Sequence, residues 1–577
     1  MLADFSWKVS IGSRELTEAE ALQLFEKKGE IVQLDDEYVW LDPAEIEAIE
    51  KRLKQKRKPG YLERLRGALT GEIEGAGVQV SGDIMEKLRE ISREKEIPVP
   101  DDIRAELRPY QKRGYSWLMK NFRLGLGSLI ADDMGLGKTL QVITALDELK
   151  HEGELKTGKV IAVVPATLLT NWVREIRKFA PNLTAEIYHG SDRKLGDPDK
   201  RPDVLLTTYG TLRRDSEQLS KLPWRVMVMD EAQAVKNTGT GAYAAASSFP
   251  ADRVIAMTGT PVENRLMEYW SIFSIVQPGL LGTASDFREN FSVPIENEHD
   301  PRAAEAFRKL VAPFMLRRMK TDKAIISDLP DCIVQDVMTT LLPEQAYLYQ
   351  EALTRNLDAI SRAEANSRDK QVKRRALVLK LITELKQICN SPSQYNKQWS
   401  ETPDSAKAET LFELLDECRE NGRKVLVFTQ YREMGELLQG WIAKKTGRKP
   451  EFLHGGVSVA RRAVMVDDFQ NNPDSHILLV SLKAGGTGLN LTAASVVIHY
   501  DLWWNPAVES QASDRAWRIG QQRDVLVYRF VTEGTFEERI NEMLTEKRRI
   551  TDLAVSSGEN WVGDMSTSEL RALFSLS

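Results

Sequence analysis

The stretch Ala131-Asp132-Asp133-Met134-Gly135-Leu136-Gly137-Lys138-Thr139 carries the strongest structural signal in this chain. It follows the apolar run 129–131 and precedes a helical pattern over 140–146. Glycines in such a turn let backbone N–H groups point into one concavity, and a helix that begins directly afterwards adds positive potential. The stretch therefore predicts a strand, a nucleotide phosphate loop and a helix.

Within this loop, Lys138 is expected to reach the β- and γ-phosphates of a nucleotide, and the Thr139 hydroxyl to ligate Mg²⁺. The backbone groups of the loop would surround the phosphates; they belong to Asp133, Met134, Gly135, Leu136 and Gly137. Asp132 departs from the strict form of the motif, which has glycine six positions before the lysine.

Size and composition place the chain among multidomain globular proteins. Its 577 residues correspond to roughly three or four domains at about 150 residues each, and 42% of the residues are hydrophobic. No apolar run approaches the roughly 20 residues that cross a bilayer, and the acidic N-terminus shows no secretory signal. The cysteines Cys332, Cys389 and Cys418 are scattered, which predicts reduced thiols in the cytoplasm. No histidine pairs with cysteine at zinc spacing, so only nucleotide-bound Mg²⁺ is predicted as a metal.

Charge does not identify a partner by itself. The net charge is −6, but basic residues cluster locally at 51–58, 317–320, 373–375 and 547–549. A local basic groove can bind phosphates on an acidic protein. The alternative for each cluster is a solvated helix face.

Two blocks of short apolar strands alternate with helical patterns. The first block predicts strands at 128–131, 160–164, 204–208, 226–229 and 254–257, and the second at 425–429, 477–481, 496–500 and 525–530. Continuous apolar strands separated by helices indicate parallel sheets covered on both faces. The fold class is therefore α/β with two lobes, and the segment 262–402 between them is predicted to be helical, most clearly at 344–360 and 372–388.

The first hundred residues predict a small α+β region without evident chemistry. A strand is expected at 7–11, a hairpin from 31–34 and 38–41, and helices at 43–56 and 84–95.

A pair of carboxylates, Asp230 and Glu231, ends the apolar strand at 226–229. Parallel strands deliver their last side chains to the carboxyl edge of the sheet, where the phosphate loop also lies. We expect Asp230 to hold Mg²⁺ and Glu231 to orient or deprotonate the attacking water. The alternative is a pair of solvated acids.

A polar stripe marks the second block. Asn505 and Pro506 form a helix start and Gly520 a helix stop, and the predicted helix between them carries Gln511, Arg515 and Arg518 on one face. A core helix would have apolar residues at this spacing. If the stripe faces the nucleotide, the arginines act as fingers on the transferred phosphate. The alternative is an exposed polar face.

Two further stretches are weak signals by themselves. The turn Thr258-Gly259-Thr260-Pro261 follows a strand of the first block, and its hydroxyls are candidates for sensing phosphate. The glycine-rich loop 484–491 follows a strand of the second block and lacks a lysine, so it permits close approach of backbone to a phosphate of nucleotide or nucleic acid.

Taken in order, these stretches resemble the Swi/Snf ATPase family of helicase superfamily two over residues 107–535. Leu107-Arg108-Pro109-Tyr110-Gln111 resembles the family's adenine-reading motif, with Gln111 on the base. The stretches 164–172 and 207–212 resemble its DNA-contacting motifs in the first lobe. In the second lobe the similar stretches are 428–431, 454–456, 481–491, 501–506 and 511–521, and segments 316–320 and 385–390 resemble the family's characteristic insertions.

The resemblance implies a motor with two RecA-like lobes that uses ATP and Mg²⁺ to move along double-stranded DNA without separating the strands. Gly488 and Gln511 then join the nucleotide site. The implied DNA contacts are Trp172, Thr208, Thr211, Lys483, Trp504 and Asn505. For the tryptophans Trp172 and Trp504, core packing stays open as the alternative.

The resemblance also suggests a division of the chain. An accessory region is expected at 1–97, the first lobe at 98–322 with a helical insertion from about 262, a helical linker at 323–403, the second lobe at 404–535 and a helical brace at 536–577. A bacterial, cytoplasmic, nucleoid-associated monomer is expected, with protein partners through the N-terminal region.

Two departures from the family pattern stand out: Gln233 and Ser391 replace histidines of most relatives. Gln233 puts in doubt how nucleotide state is coupled to DNA grip. Two other functions stay open. One is a strand-separating helicase on RNA or forked DNA, and the other is a scaffold in which ATP binding only switches a partner interaction.

Overall fold

The structure is a computed structural model. It describes residues 9–11, 14–16, 21–47 and 72–77 with gaps, then 96–191, 193–196, 201–259, 266–320, 322, 329–366, 370–482, 489–503, 505–551 and 567–576. The chain divides into two units, Met1–Arg93 and Glu94–Ser577.

The first unit contains short antiparallel strand pairs. Val9–Ile11 pairs with Arg14–Leu16, Ile31–Leu34 with Glu37–Trp40, and Glu72–Ile73 with Ala76–Gly77. The hairpin predicted at 31–41 is confirmed. The helix predicted at 84–95 lies outside the described residues.

In the second unit, the described residues of the first lobe form a seven-stranded parallel sheet around the phosphate loop. Its strands, in spatial order, are Met315–Leu316, Ser128–Ile130, Ala251–Met257, Trp224–Met229, Lys159–Val163, Val204–Thr207 and Ala185–Ile187. The inner strands are buried because helices cover both faces. The five predicted strands are confirmed. The two edge strands were missed because they are two and three residues long and only partly buried.

Helices of the first lobe cover this sheet. They are Pro109–Arg123, Lys138–His151, Leu169–Phe179, Tyr209–Leu219, Gly241–Ser247, Met267–Val276 and Pro301–Val311, with the short Ala284–Phe287 and Val293–Glu296 flanking a π-helical turn at Arg288–Ser292. One apolar core joins the helix after the phosphate loop to the sheet, as Val142 and Leu146 pack with Val160 and Val228.

A second parallel sheet, of six strands among the described residues, forms the other lobe. Its strands, in spatial order, are Cys332–Thr339, Val525–Thr532, Ala494–His499, Lys424–Thr429, Ile477–Ser481 and Glu451–Leu453. Both sheets agree with the predicted α/β class of two RecA-like lobes.

The helical linker predicted at 323–403 is wrong in one part. Cys332–Thr339 is a strand that pairs with Val525–Thr532 over eight residues. It is an edge strand whose residues Ile333, Val334 and Met338 are largely exposed, so it lacks the continuous apolar pattern of a buried strand. A pairing across nearly 200 residues leaves no local signal in the sequence.

Two long helices, Pro343–Asn366 and Lys370–Asn390, follow this strand and confirm the clearest helical predictions. They share a core with the C-terminal helices Phe536–Thr551 and Thr567–Phe574. The second lobe is otherwise covered by Pro392–Asn396, Ala406–Glu420, Arg432–Thr446, Val459–Asn471 and Pro506–Ser513. Among the described residues, no helix combines the length and apolarity needed to cross a bilayer.

Candidate nucleotide site between the lobes

The phosphate loop lies between strand Ser128–Ile130 and helix Lys138–His151, as its sequence predicts. Gly135 and Gly137 have φ values of 86° and 73°, in the left-handed region that favours glycine. Space also requires glycine there. A Cβ at Gly137 would lie 2.4 Å from Gln111 Nε2, and a Cβ at Gly135 would lie 2.7 Å from Cγ of Arg518.

Lys138 begins the helix and folds back over the loop. Its Nζ donates hydrogen bonds to the carbonyls of Asp132 and Asp133, at 2.6 and 3.2 Å. Burial lowers the pKa of Lys138, while the carboxylates of Glu231, Asp132 and Asp230 oppose that shift. The lysine therefore lies within electrostatic range of both carboxylates at the end of strand Trp224–Met229.

Asp132, the residue that departs from the strict loop pattern, is fully buried and paired with Arg318. The Arg318 guanidinium donates to both carboxylate oxygens, one at 3.0 Å through Nε, and to Gln141 Oε1 at 2.7 Å. It also donates to the Tyr110 carbonyl. A bidentate pair of this kind is specific in geometry. Asp132 thus ties the phosphate loop to the edge strand Met315–Leu316.

Gln111 lies against the loop from helix Pro109–Arg123. Its amide nitrogen donates to the Leu136 carbonyl at 3.2 Å, and its oxygen accepts from the Arg108 N–H at 2.9 Å. Tyr110 OH donates to the same Leu136 carbonyl at 3.1 Å. These bonds fix helix Pro109–Arg123 against the phosphate loop. Gln111, for which an adenine-reading role is predicted, therefore lies beside the loop.

Asp230 is buried at the end of its strand. Trp172 Nε1 donates to its Oδ2 at 2.9 Å, and the Glu231 N–H donates to its Oδ1 at 2.9 Å. Burial, with the neighbouring Glu231 charge, raises the pKa of Asp230 to about 7. A buried carboxyl with a pKa near 7 is suited to bind a cation, because a bound cation stabilises its ionised form.

Glu231 has a left-handed backbone, with φ 49°. A non-glycine residue in this region is uncommon and strained, a feature that occurs at functional sites. Gln233 donates to Glu231 Oε2 at 2.8 Å and accepts from the Thr258 hydroxyl at 2.8 Å. The Gln233 amide therefore links the acid pair to the turn that begins at Thr258.

The second lobe contributes both arginines of the polar stripe. Arg518 packs on the phosphate loop, with its side chain against Gly135, and its charge acts on Lys138. Arg515 is buried, and burial lowers its pKa to about 10 while the Glu231 carboxylate opposes that shift. The structure therefore brings Lys138, Asp230, Glu231, Arg515 and Arg518 into one site between the lobes.

The prediction of one helix that carries the whole stripe is confirmed for eight residues and is wrong beyond them. The start is confirmed, since the Asn505 side chain accepts from the Ala507 N–H at 3.0 Å and Pro506 is the first helical residue. The helix ends at Ser513, so Gln511 is helical, whereas Arg515 and Arg518 lie in successive turns. Tertiary bonds hold these turns: the Arg515 carbonyl accepts from Leu491 N–H at 3.0 Å.

A lysine that sequence reasoning assigned no role links the lobes beside the arginines. Lys320 Nζ donates to Asp514 Oδ1 at 2.6 Å and to the Trp517 carbonyl, and lies 4.8 Å from the Trp517 ring centroid. Its backbone N–H donates to Asp133 of the phosphate loop at 2.9 Å. Burial lowers the pKa of Lys320 and raises that of Asp514. In the sequence, the signal for Lys320 was its place in the basic cluster 317–320. The alternative that this cluster is a solvated helix face is wrong for Arg318 and Lys320, which are buried.

Three first-lobe side chains for which DNA contacts are predicted are buried in the structure. Trp172 is 1% exposed and bonds Asp230, so core packing is correct for it. Thr208 caps helix Tyr209–Leu219, and its hydroxyl and that of Thr211 bond each other at 3.0 Å in a buried pair. Lys483, Gly488 and Trp504 lie outside the described residues. Asn505 uses its side-chain oxygen as the helix cap.

In the second lobe, buried hydrogen bonds join the ends of strands Lys424–Thr429 and Ala494–His499. Asp501 accepts from the Thr429 hydroxyl at 2.6 Å and the Gln430 N–H at 2.8 Å, and burial raises its pKa. Ser391, the second departure from the family pattern, caps helix Pro392–Asn396 and donates to Asp404 at 2.6 Å. The serine therefore has a local structural role.

Two parallel-sheet lobes with a phosphate loop on one and arginines on the other define a nucleotide-binding protein of the helicase type. Family models agree: a SNF2-related domain matches residues 110–394, a helicase conserved C-terminal domain matches 406–520, and a model described as SNF2 helicase protein matches 1–69.

Individual proteins are similar over most of the chain. The putative ATP-dependent helicase/translocase YwqA of Bacillus subtilis is 37% identical over 100% of this chain and 64% of its own length. The ISWI chromatin-remodeling complex ATPase of Saccharomyces cerevisiae is 31% identical over 79% of this chain and 41% of its own length. The SWI2/SNF2 ATPase core of Sulfolobus solfataricus, solved in complex with dsDNA, is 39% identical, with 84% of this chain and 100% of that chain covered and a TM-score of 0.42.

The chain belongs to the Swi/Snf-type, SNF2-related family of helicase superfamily two. It spans less than two thirds of the length of the Bacillus relative and less than half that of the yeast relative.

Proposed function

We propose that this chain is a DNA-stimulated ATPase that moves along double-stranded DNA and displaces or remodels bound proteins. The observation that carries the proposal is the meeting of Arg515 and Arg518 with Lys138 and Glu231 across the two lobes. A site divided between two bodies is made or broken by their relative motion, so hydrolysis and movement become coupled.

In the proposed reaction, loop N–H groups and Lys138 hold the ATP phosphates. Glu231 orients and deprotonates the attacking water, and the hydrogen bond from Gln233 holds its carboxylate. Arg515 and Arg518 offset charge that develops on the transferred phosphate, an effect on the order of 10³–10⁵ in rate. A pure nucleotide-gated scaffold needs neither a water activator nor these arginines.

Mg²⁺, when bound, would neutralise negative charge on the ATP phosphates. Asp230 and Thr139 are the proposed ligands: Asp230 is buried with a pKa of about 7, and Thr139 lies in the first turn of helix Lys138–His151. Trp172 Nε1 donates to Asp230 Oδ2, and this hydrogen bond fixes the orientation of the carboxylate.

Double-stranded DNA is the proposed track. Support comes from family membership and from relatives named as a helicase/translocase and a chromatin-remodeling ATPase. Since the buried Trp172, Thr208 and Thr211 side chains do not offer contacts, the proposed first-lobe contact is the start of helix Tyr209–Leu219, whose backbone N–H groups suit a DNA phosphate. Lys483, Trp504 and Asn505 remain proposed contacts in the second lobe, and Gly488 and Gln511 remain proposed nucleotide contacts.

The test is ATP turnover by the full chain with duplex DNA, single-stranded DNA, RNA or no nucleic acid. Duplex DNA should stimulate turnover most, and Glu231→Gln should reduce stimulated turnover on the order of 10²–10⁴ while duplex binding is kept. Turnover that responds only to RNA would support the strand-separating helicase instead. Turnover that stays negligible with every nucleic acid would support the scaffold.

A further inference from the structure

A second polar cluster lies at the opposite end of the helix that follows the phosphate loop. It consists of Asp147 and His151, one turn apart on helix Lys138–His151, and Asp102 from the turn before helix Pro109–Arg123. The ligand atoms of the three side chains all lie within 4.8 Å of one another. At about 1.5 Å per residue, Asp147 is roughly 14 Å and His151 roughly 20 Å from the start of the helix at the phosphate loop.

The member that calls for an explanation is Asp147. Its side chain is 0% exposed, and among the described residues neither of its carboxylate oxygens accepts a hydrogen bond. Buried polar groups are almost always hydrogen-bonded, and an unsatisfied carboxylate is costly. His151 Nε2 lies 3.6 Å from Asp147 Oδ2, beyond hydrogen-bond distance, and 2.9 Å from Asp102 Oδ2.

We propose that Asp102, Asp147 and His151 form a binding site for a first-row transition dication such as Zn²⁺, separate from the nucleotide site. One imidazole nitrogen and two carboxylate oxygens are typical ligands of Zn²⁺ and its neighbours, whereas Mg²⁺ and Ca²⁺ prefer oxygen alone. Two ligands at i and i+4 share one face of a helix, as in known zinc helices.

The surroundings favour a cation. The C-terminal end of a helix has negative potential, which stabilises positive charge in the last turn. Lys150, the adjacent cation, is held away by Asp203 at 2.7 Å and the Asn182 carbonyl at 2.5 Å.

The partly exposed Asp102 and His151 leave a path for an ion from solvent. Once bound, the ion would pin the turn at residues 100–103 to the helix end. Sequence reasoning missed this site because it looked for histidine with cysteine, and Asp102 is 45 residues before Asp147.

The test is Zn²⁺ binding by the metal-free full chain without nucleotide, measured by calorimetry and by metal content after dialysis. We expect one Zn²⁺ site that His151→Ala and Asp147→Asn each weaken at least tenfold. His299→Ala, which removes an exposed histidine of the same lobe, is the matched control and should bind as the parent does. Cobalt(II) bound at the site should show no thiolate charge-transfer band, which excludes the three cysteines as ligands.

Thermal unfolding keeps the result interpretable if Asp147→Asn folds poorly. Zn²⁺ should raise the unfolding midpoint of the parent and of His299→Ala, but not of His151→Ala, whose substituted side chain is partly exposed. If Zn²⁺ shifts no midpoint while His151→Ala lowers stability, the cluster is an ion pair only and the proposal is wrong. Equal binding by all variants, or tighter binding of Mg²⁺ than of Zn²⁺, would also overturn it.

Discussion

The two halves of the nucleotide site are built in different ways. In the first lobe, Asp230 and Glu231 directly follow a buried strand and Lys138 begins the helix after the phosphate loop, so a short local pattern places each of them. In the second lobe, Arg515 and Arg518 lie in turns after a helix of only eight residues, where bonds to distant residues place them. A local motif therefore fixes one half of the site, and tertiary structure fixes the other.

The largest effect should come from the half that tertiary structure places. Arg518→Ala removes a guanidinium that packs on Gly135 and acts on Lys138, so we expect turnover to fall on the order of 10³–10⁵, or about 4–7 kcal/mol of barrier. The measurement is stimulated ATP turnover at saturating ATP. Arg523→Ala, an exposed arginine of the same lobe, is the matched control and should retain turnover. Similar rates in both variants would contradict the role of Arg518.

The next effect tests whether the structure of the phosphate loop depends on its own residues alone. Asp132→Gly restores the strict glycine of the motif but leaves the buried Arg318 guanidinium without its carboxylate. Breaking a buried ion pair from one side costs about 3–5 kcal/mol, so we expect lower stability despite the better match to the pattern. Urea unfolding of the full chain is the measurement.

The double variant Asp132→Gly with Arg318→Met is the control for this pair. It removes both charges, so its loss of stability should be smaller than the sum of the two single losses. Additive losses would mean that the pair is not the reason for the aspartate at position 132.

Sequence reasoning recovered the strands, the phosphate loop and the acid pair because each depends on residues within one element. It also predicted the meeting of both arginines with the loop, although by a helix that stops at Ser513. It missed Lys320, Arg318 and the strand Cys332–Thr339, whose partners lie some 190 residues away. It predicted DNA contact for Thr208 and Thr211 from a motif, and a motif does not show that their hydroxyls bond each other in a buried pair.

A smaller effect should come from the bond between the two halves. Lys320 and Asp514 join the phosphate loop to the turn that holds Arg515, so losing either one should loosen the arginines. We expect Lys320→Met and Asp514→Asn each to lower turnover, with an interaction energy of about 0.5–3 kcal/mol in a double-mutant cycle. Stimulated turnover of the four proteins gives this energy directly. A value near zero would mean that the arginines reach the loop without this bridge.

The smallest effect concerns the pH response of the acid pair in the first lobe. The pKa of Asp230 is raised from 3.8 to about 7, so between these pH values the folded protein holds a proton that the unfolded chain has lost. The contribution of this group to stability therefore declines as the pH rises from 3.8 to about 7. Cation binding needs the ionised form, so kcat/KM, which reports the free enzyme, should fall as the pH drops below about 7.

Trp172→Phe tests the cause of that response. The indole N–H favours the ionised carboxylate of Asp230, so its removal should raise the pKa further and move the acid limb of the kcat/KM profile to higher pH. Trp224→Phe is matched, because Trp224 is also buried in the first lobe but donates to the Leu219 carbonyl, and it should leave the limb in place. Equal shifts in both variants would assign the effect to packing. A shift in Trp172→Phe alone would mean that even the locally encoded half of the site depends on a donor from another element.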